Sequence, residues 1–127
     1  MQLTTLKELA WLHDCVLLSV LYDISSNSGR SISLTMRCPR DLGYAPWEDR
    51  GLVLVAIDVA VSKHVVCGFG RPETIDAVRP GISADVREST MAARRMGVRL
   101  PSLEFTISLH SGSALEVVCQ ELQLEVV

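Results

Sequence analysis

One ten-residue run, Leu52–Val61, constrains the fold of this 127-residue chain more than any other feature, because it is apolar on both faces. Its β-branched residues share one parity: Val53, Val55, Ile57, Val59 and Val61. Leucine and alanine fill most of the other parity. Since successive side chains of a strand point to opposite faces, the pattern predicts a central strand covered on both sides. The β-branched residues are therefore expected in the core.

Alternating runs predict the other main strands. Val16–Ile24 has apolar side chains at every second position, which are expected on one face. A turn rich in serine and glycine joins it to the alternating run Ser31–Met36, so the two predict an antiparallel hairpin. Leu103–Leu109 also alternates. In the last run, Leu115–Val126, the apolar positions change parity near Gln120–Glu121, which requires a β-bulge or a sharp bend.

Capping patterns predict two helices. Thr5 and Glu8 have the spacing of a capping box, which predicts a short helix ending near Leu12. Ser83 can cap a second helix that Gly97 ends. Acidic residues in its first turns and arginines in its last turn complement the helix dipole.

These elements predict a single domain, residues 1–127, that is mainly β (α+β). The expected architecture is an antiparallel β-sandwich or partly closed barrel, with a short N-terminal helix and one helix before the final hairpin. A short strand at Val65–Cys67 and an edge strand around Thr74–Val78 complete it. A chain of this length buries about two thirds of its unfolded surface, so no disulfide, metal or cofactor is needed for folding.

Composition and charge exclude several classes of function. Apolar residues make up 48% and aromatic residues 5% of the chain, which excludes a disordered chain and argues against an aromatic stacking platform. A net charge of −3 without a basic stripe argues against nucleic acid. The longest apolar run is too short to span a membrane, and Met1–Ala10 lacks a signal-peptide pattern. With four cysteines and no C-x-x-C pair, we expect a reduced cytoplasmic protein.

Two segments carry opposite charge. Residues 84–99 have a local charge of +2 and include Arg94 and Arg95, whereas residues 100–127 have a local charge of −4. Opposite surfaces suit steering toward a protein partner, which makes the two arginines candidate binding residues. The alternative is that both segments are ordinary solvated faces.

Asp58, Tyr44 and Trp47 are the other candidate binding residues. Asp58 is the one charge in the central apolar run, so it is expected either to pair with an arginine or backbone amides or to occupy a functional pocket. Tyr44 and Trp47 lie in the Pro- and Gly-containing loop Arg37–Arg50 and are candidates for an aromatic anchor. The alternative is that this loop folds back over a sheet edge.

No catalytic constellation or metal motif is recognised. The pair His13 and Asp14 can mark a metal site, but the other histidines, His64 and His110, do not lie at the spacing of further metal ligands. Asp14 is instead expected to hydrogen-bond loop amides where the helix turns into the strand. Cys38, near Arg37 and Arg40, is a candidate reactive thiol.

The element Trp11-Leu12-His13-Asp14, followed by an alternating strand and a second strand after a Gly turn, resembles small bacterial β-rich proteins of the Immunity protein 50 type. The matching stretches are residues 11–36, 52–61 and 103–126. The loop 37–50 and the Arg-rich segment 83–97 depart from the pattern. The resemblance implies a fold more than an activity and supplies no catalytic residues.

Three hypotheses for function follow. The first is a non-enzymatic, protein-binding immunity or accessory domain. The second is a small-ligand protein or enzyme with a site in a barrel mouth around Asp58, His13 and Asp14. The third is a structural homodimer formed by sheet-edge pairing.

Overall fold

The computed structural model describes residues 2–3, 7–24, 30–39, 49–67, 73–97 and 103–127. The strands are β1 (Gln2–Leu3), β2 (Val16–Asp23), β3 (Ser31–Arg37), β4 (Gly51–Val65), β5 (Glu73–Pro80), β6 (Leu103–Leu109) and β7 (Ala114–Val126). The helices are a 3₁₀-helix at Lys7–Leu12 and α1 at Ala84–Arg95. Neither helix in this part of the chain is long and apolar enough to cross a membrane.

Six of these strands form a closed antiparallel barrel in the order β7-β4-β3-β2-β5-β6, with β6 pairing back onto β7. β1 adds to the second half of β7, outside the ring. The prediction of a mainly β chain is therefore confirmed, and one sheet closes on itself instead of two sheets packing together. α1 precedes the final hairpin, with Ser83 as its N-cap and a positive φ at Gly97 after its end.

The shorter elements differ from the predictions. Thr5 lies outside the described residues, and the helical turn that follows it is 3₁₀. Val65 ends the long strand β4, so Val65–Cys67 is not a separate strand. Thr74–Val78 lies within β5, which pairs with β6 and briefly with β2.

The core fills the barrel and one of its ends. Leu34, Leu54 and Phe105 are fully buried on the inner face. The 3₁₀-helix contacts β5 and contributes the buried Leu9 and Leu12, so it covers the end of the barrel where β2 begins.

β4 and β7 form a long ribbon whose two strands change phase at the same place. Asp58 has φ +55° and lies between the register pairs Ile57–Glu121 and Val59–Cys119, opposite Gln120. The predicted phase change near Gln120–Glu121 is present, but no register shift occurs between those two pairs. Both strands therefore change phase together at Asp58, and a one-sided bulge follows directly, because the register shifts between Val59 and Val61 and makes Ala60 an extra residue.

The prediction that the β-branched face of β4 is core is wrong for its first half. Leu52, Leu54 and Ala56 point inward and are fully buried, so the side chains of alternate parity point out of the barrel. Val53, Val55 and Ile57 have this outward parity and are only partly buried. The bend then changes the parity, so that Val59 is buried with the core, whereas the register shift that follows pairs Val61 with the outward Val118 and leaves it partly buried.

A bulge also overturns the prediction that the apolar side chains of β2 share one face. The register shifts between Leu17 and Ser19, which makes Leu18 an extra residue. Val20 and Tyr22 pair with the inward Leu34 and Ile32, whereas Leu17 is the inward residue before the bulge. As a result, Val16 has the opposite orientation to Val20.

Candidate protein-interaction surface

The bend divides the ribbon into two halves. The covered half is Val59–Val65 with Ala114–Cys119, and the bare half is Gly51–Ile57 with Glu121–Val126. Both halves have apolar residues on their outer faces, and they differ in whether a described helix covers these residues.

α1 lies over the outer face of the covered half. Glu116 of β7 is buried and accepts hydrogen bonds from the backbone N–H and the hydroxyl of Ser83, the N-cap of α1. Lys63 binds Asp85 at 3.1 Å. A carboxylate at a helix N-terminus compensates orphan amides and the helix dipole. The outer face of this half is therefore used to dock the chain's own helix.

Apolar burial accompanies these polar contacts. Val118 shares the outward parity of Glu116 and is fully buried, and Val86 of α1 is 3% exposed. Both are buried outside the main core cluster. Thr90 completes the buried side of α1 by donating its hydroxyl to the carbonyl of Val86 at 2.8 Å.

The bare half has no described helix over it. Its outer side chains form one surface with those of β2 and β3, here named the bare face. The bare face consists of Leu21, Ser31, Ser33, Thr35, Val53, Val55, Ile57, Glu121, Gln123 and Glu125. Among the described helices, α1 contacts β4 through the covered half, and the 3₁₀-helix contacts β5. An apolar stripe of β4 thus lies between small hydroxyl side chains and an acidic strand.

A groove of about 310 Å³ opens at one end of the bare face. Leu18, Val53 and Val127 give it apolar walls, and Arg37 and Asp49 form an ion pair of 3.0 Å at its rim. This volume is at the lower end of the range of small-molecule pockets and can receive one large side chain of a partner.

The loop that carries two predicted binding residues starts and ends beside this groove. The backbone N–H of Cys38 donates to the carbonyl of Arg50 at 2.9 Å, which joins the two ends of the loop. Tyr44 and Trp47 themselves lie outside the described residues. Their predicted role therefore stays a prediction, although the base of their loop is adjacent to the bare face.

The opposite charges predicted on two segments are partly used to hold α1. Arg87 lies 3.7 Å from Glu104, and Glu116 binds the N-cap of the same helix. Glu121 and Glu125 have the outward parity of the bare half and give it an acidic rim along β7. The acidic strand thus divides its charge between helix docking and an outer surface.

The structure does not bring the remaining predicted binding residues together. Asp58 is exposed at the bend, so the expectation that it is buried in an apolar strand is wrong. Arg94 and Arg95 are exposed in the last turn of α1, and no described hydrogen bond or ion pair joins them to Asp58. The left-handed backbone explains Asp58, since aspartate tolerates positive φ better than most residues do.

A second groove lies at the barrel mouth, close to Asp58. Its volume is about 120 Å³, and its walls include Tyr22, Arg30, Val59 and Ala60. The ring centroids of Tyr22 and His64 are 6.2 Å apart across the same end. Pockets for drug-sized molecules measure about 300–1,000 Å³, so this groove is too small for such a ligand.

His13 and Asp14 lie at the other end of β2. His13 Nδ1 is 2.9 Å from Asp14 Oδ2, and the Asp14 N–H donates to the Ile75 carbonyl at 2.8 Å. Asp14 has φ +68° where the 3₁₀-helix turns into β2. Asp58 adjoins the far end of the hairpin, and β2 alone extends for more than about 20 Å. The three residues of the small-ligand hypothesis therefore do not converge.

The described residues form neither a metal site nor a reactive-thiol site. No group of three or more His, Cys, Asp or Glu side chains there is arranged to hold a metal ion. Cys38, predicted as a reactive thiol, is fully buried. It hydrogen-bonds Cys15, whose pKa is raised first by burial and then by Cys38. Burial also raises the pKa of Cys119 to about 12, so this thiol stays protonated at neutral pH.

Two residues of the candidate surface were missed in the sequence. Leu18 and Leu21 are 52% and 63% exposed on β2. The adjacent Leu17 and Leu18 already break a strict alternation, in the same way as the phase change in β7 does. A bulge could have been predicted from that pair.

Comparison with protein-family models, curated proteins and solved structures found no match to this chain.

Proposed function

We propose that this chain is a non-enzymatic, protein-binding domain of the immunity or accessory kind, and that it binds its partner through the bare face. One observation carries this proposal: the same strand pair has a helix over the outer face of one half, while the other half presents Val53, Val55 and Ile57 with no described helix over them. Apolar outer side chains with a polar border are typical of interaction sites.

The charges and shape of the surface favour one kind of partner. Glu121 and Glu125 line the β7 side, so lysine or arginine side chains of the partner would be attracted there. The groove beside Leu18 and Val127 accepts an apolar anchor. The partner is therefore a protein that presents a large apolar side chain next to basic residues.

The test begins with proteins encoded beside this chain's gene. Each is co-expressed with the full chain, and any complex is mapped by cross-linking and mass spectrometry. Affinity is then measured by calorimetry for the parent and for Val55→Lys. Because Val55 points outward, the substitution leaves the core intact, and a central interface position should lower affinity at least about 30-fold.

A charge test and a matched control accompany it. Glu125→Lys should weaken binding more at low salt than at high salt, because the attraction is screened. Arg95→Glu, which changes an exposed charge on α1, should leave affinity unchanged. Unchanged affinity in Val55→Lys, or cross-links confined to α1, contradicts the proposal.

The small-ligand alternative has less support, because the groove that the described residues form near Asp58 measures about 120 Å³. A compound that raises the melting temperature of the parent but not of Ala60→Leu, which fills this groove, would favour that alternative. A complex lost in Val55→Lys and kept in Ala60→Leu would favour protein binding.

A further inference from the structure

Two buried cysteines lie opposite each other at one end of the β2–β3 hairpin. The first pair of its antiparallel register is Val16–Arg37. Cys15 directly precedes Val16 and Cys38 directly follows Arg37, so the same register places the two cysteines opposite each other. Both are free thiols, both are fully buried in the core cluster, and their side chains are hydrogen-bonded to each other. The two sulfur atoms are therefore in contact.

The backbone identifies the two cysteines as a non-hydrogen-bonded cross-strand pair. The carbonyl of Cys15 accepts from the N–H of Ile75 at 2.8 Å, on the side of β5. The N–H of Cys38 donates to the carbonyl of Arg50 at 2.9 Å, on the side of β4. Each of these backbone groups thus points away from the other cysteine's strand. Opposed residues of this kind have Cα atoms about 4.5 Å apart.

That separation admits a disulfide at the short end of the usual range. Disulfides join residues whose Cα atoms are about 4.4–6.8 Å apart, so no large backbone movement is needed to connect this pair. A bond near the limit of the range is strained, and strained disulfides are reduced more readily than structural ones. The geometry therefore favours a reversible cross-link.

We propose that Cys15 and Cys38 are a modification site, at which a small disulfide such as oxidised glutathione converts the two thiols into one cross-link. One cysteine sulfur attacks the disulfide bond of the oxidant, forms a mixed disulfide and releases one glutathione thiol. The second cysteine sulfur then attacks the mixed disulfide, which forms the Cys15–Cys38 bond and releases the other glutathione. Two protons and two electrons pass from the cysteines to the oxidant. The proposal does not rest on the proposed function.

The cross-link would connect two parts of the chain that meet at this end of the hairpin. Cys15 follows the 3₁₀-helix, and its N–H donates to the carbonyl of Leu12 at 3.0 Å. Cys38 lies at the base of the loop beside the groove of the bare face, next to the ion pair of Arg37 and Asp49. Oxidation would therefore fix the base of this loop to the end of the barrel that the 3₁₀-helix covers.

Burial makes the site slow to react. It raises the pKa of Cys15 to about 12, and since thiolates are the attacking species, exchange requires local opening of the chain. Exposed Cys67 should react with glutathione first. Cys119 is an internal control, because it is equally buried and its register partners are Val59 and Leu103 instead of a cysteine.

Mass spectrometry of the full chain in glutathione buffers tests the cross-link. A Cys67→Ser background removes the exposed thiol, and the chain is equilibrated at increasing proportions of oxidised glutathione. Each sample is quenched with acid, denatured, alkylated and mapped without reduction. The expected product is lighter by two hydrogen atoms before alkylation, contains a peptide that joins Cys15 to Cys38, and is alkylated at Cys119. Dithiothreitol should restore both thiols.

Cys38→Ala in the same background is the matched control. It keeps Cys15 and Cys119 and should form no disulfide within the chain, while circular dichroism checks that it is folded. Three results would overturn the proposal: both thiols still free at equilibrium in fully oxidised glutathione, glutathione attached separately to Cys15 and Cys38, or a peptide that joins Cys119 to either of them. The mapping of the Cys67→Ser chain decides among these even where Cys38→Ala does not fold.

Discussion

The two halves of the β4–β7 ribbon have the same strands and similarly apolar outer faces, yet only one half is covered by a described helix. In the covered half, Val118 is fully buried and Glu116 holds the N-terminus of α1. In the bare half, Val53 and Val55 occupy the corresponding outward parity and are only partly buried. The two halves differ because α1 lies over one of them, where its N-cap Ser83 donates hydrogen bonds to Glu116 of β7.

Apolar side chains on both faces of a strand therefore do not specify which element covers its outer face. In one half the covering element is α1, whose N-cap and buried Val86 supply both polar and apolar contacts. In the other half a partner is the proposed covering element. Four predictions test the difference, beginning with the inner face that both halves share.

Alkali should have the largest effect, because it acts on the shared core. Burial raises the pKa of Cys119 from an ordinary 9.0 to about 12, and burial followed by Cys38 raises that of Cys15. Between these pH values the unfolded chain loses protons that the folded chain retains, so the free energy of unfolding falls as pH rises. The contribution is fully present below pH 9 and is lost toward pH 12.

Urea unfolding from about pH 8 to about pH 11 measures this loss. In Cys119→Ala, the free energy of unfolding should fall less steeply with pH, by a slope that corresponds to at most one proton. The variant should also be somewhat less stable than the parent at neutral pH. Cys67→Ala, which removes an exposed thiol, is the matched control. An equally steep fall in stability in Cys119→Ala would show that this thiol is not responsible.

Loss of the carboxylate that holds α1 should have the next largest effect. In Glu116→Gln the amide N–H₂ competes with the donors of Ser83, so we expect a loss of about 2–3 kcal/mol in the free energy of unfolding. Glu125→Gln on the bare half should change it by less than about 0.5 kcal/mol. Equal effects in the two variants would mean that helix docking does not distinguish the halves.

Valine-to-alanine substitutions should lower the free energy of unfolding more in the covered half than in the bare half. Val118→Ala removes two methyl groups from the buried outer side of the covered half and should cost about 2 kcal/mol. Val55→Ala, on the partly buried bare face, should cost less than about 1 kcal/mol in the isolated chain. A cost at Val55 as large as that at Val118 would show that the bare face is already covered within the chain.

The bend itself should be the least sensitive feature. Asp58→Ala leaves a residue with a β-carbon but no polar side-chain group at φ +55°. The free energy of unfolding should therefore fall by about 1 kcal/mol. Asp58→Gly should lie within about 0.5 kcal/mol of the parent, because glycine adopts positive φ readily. Thermal unfolding compares both variants with the parent, and a glycine variant as destabilised as the alanine variant would assign Asp58 a role through its side chain.

Much of the fold could be predicted from local patterns. The hairpin of β2 and β3, the strand β6, the phase change in β7 and the helix capped by Ser83 each depend on residues close together in the chain. Periodicity and capping report such elements directly, because their physical causes are local. The barrel closes through pairing of β2 with β5, which are far apart in the chain, so local patterns could not predict it.

The candidate surface was less accessible to sequence reasoning. Asp58 was expected inside an apolar strand, since a straight strand would bury it, and only the paired phase change with Gln120 places it outside. Leu21 belongs to the bare face because the bulge at Leu18 changes the parity of β2 and turns this side chain outward, opposite Ser33.

The sequence by itself determined the positions of the main strands β2, β3, β4, β6 and β7, and where α1 begins and ends. The tertiary structure decided which apolar parity of β4 is core and which is surface. Both parities are apolar, so the choice depends on the bend at Asp58 and on where α1 docks. Those contacts join residues far apart in the chain, and alternation within a single strand does not specify them.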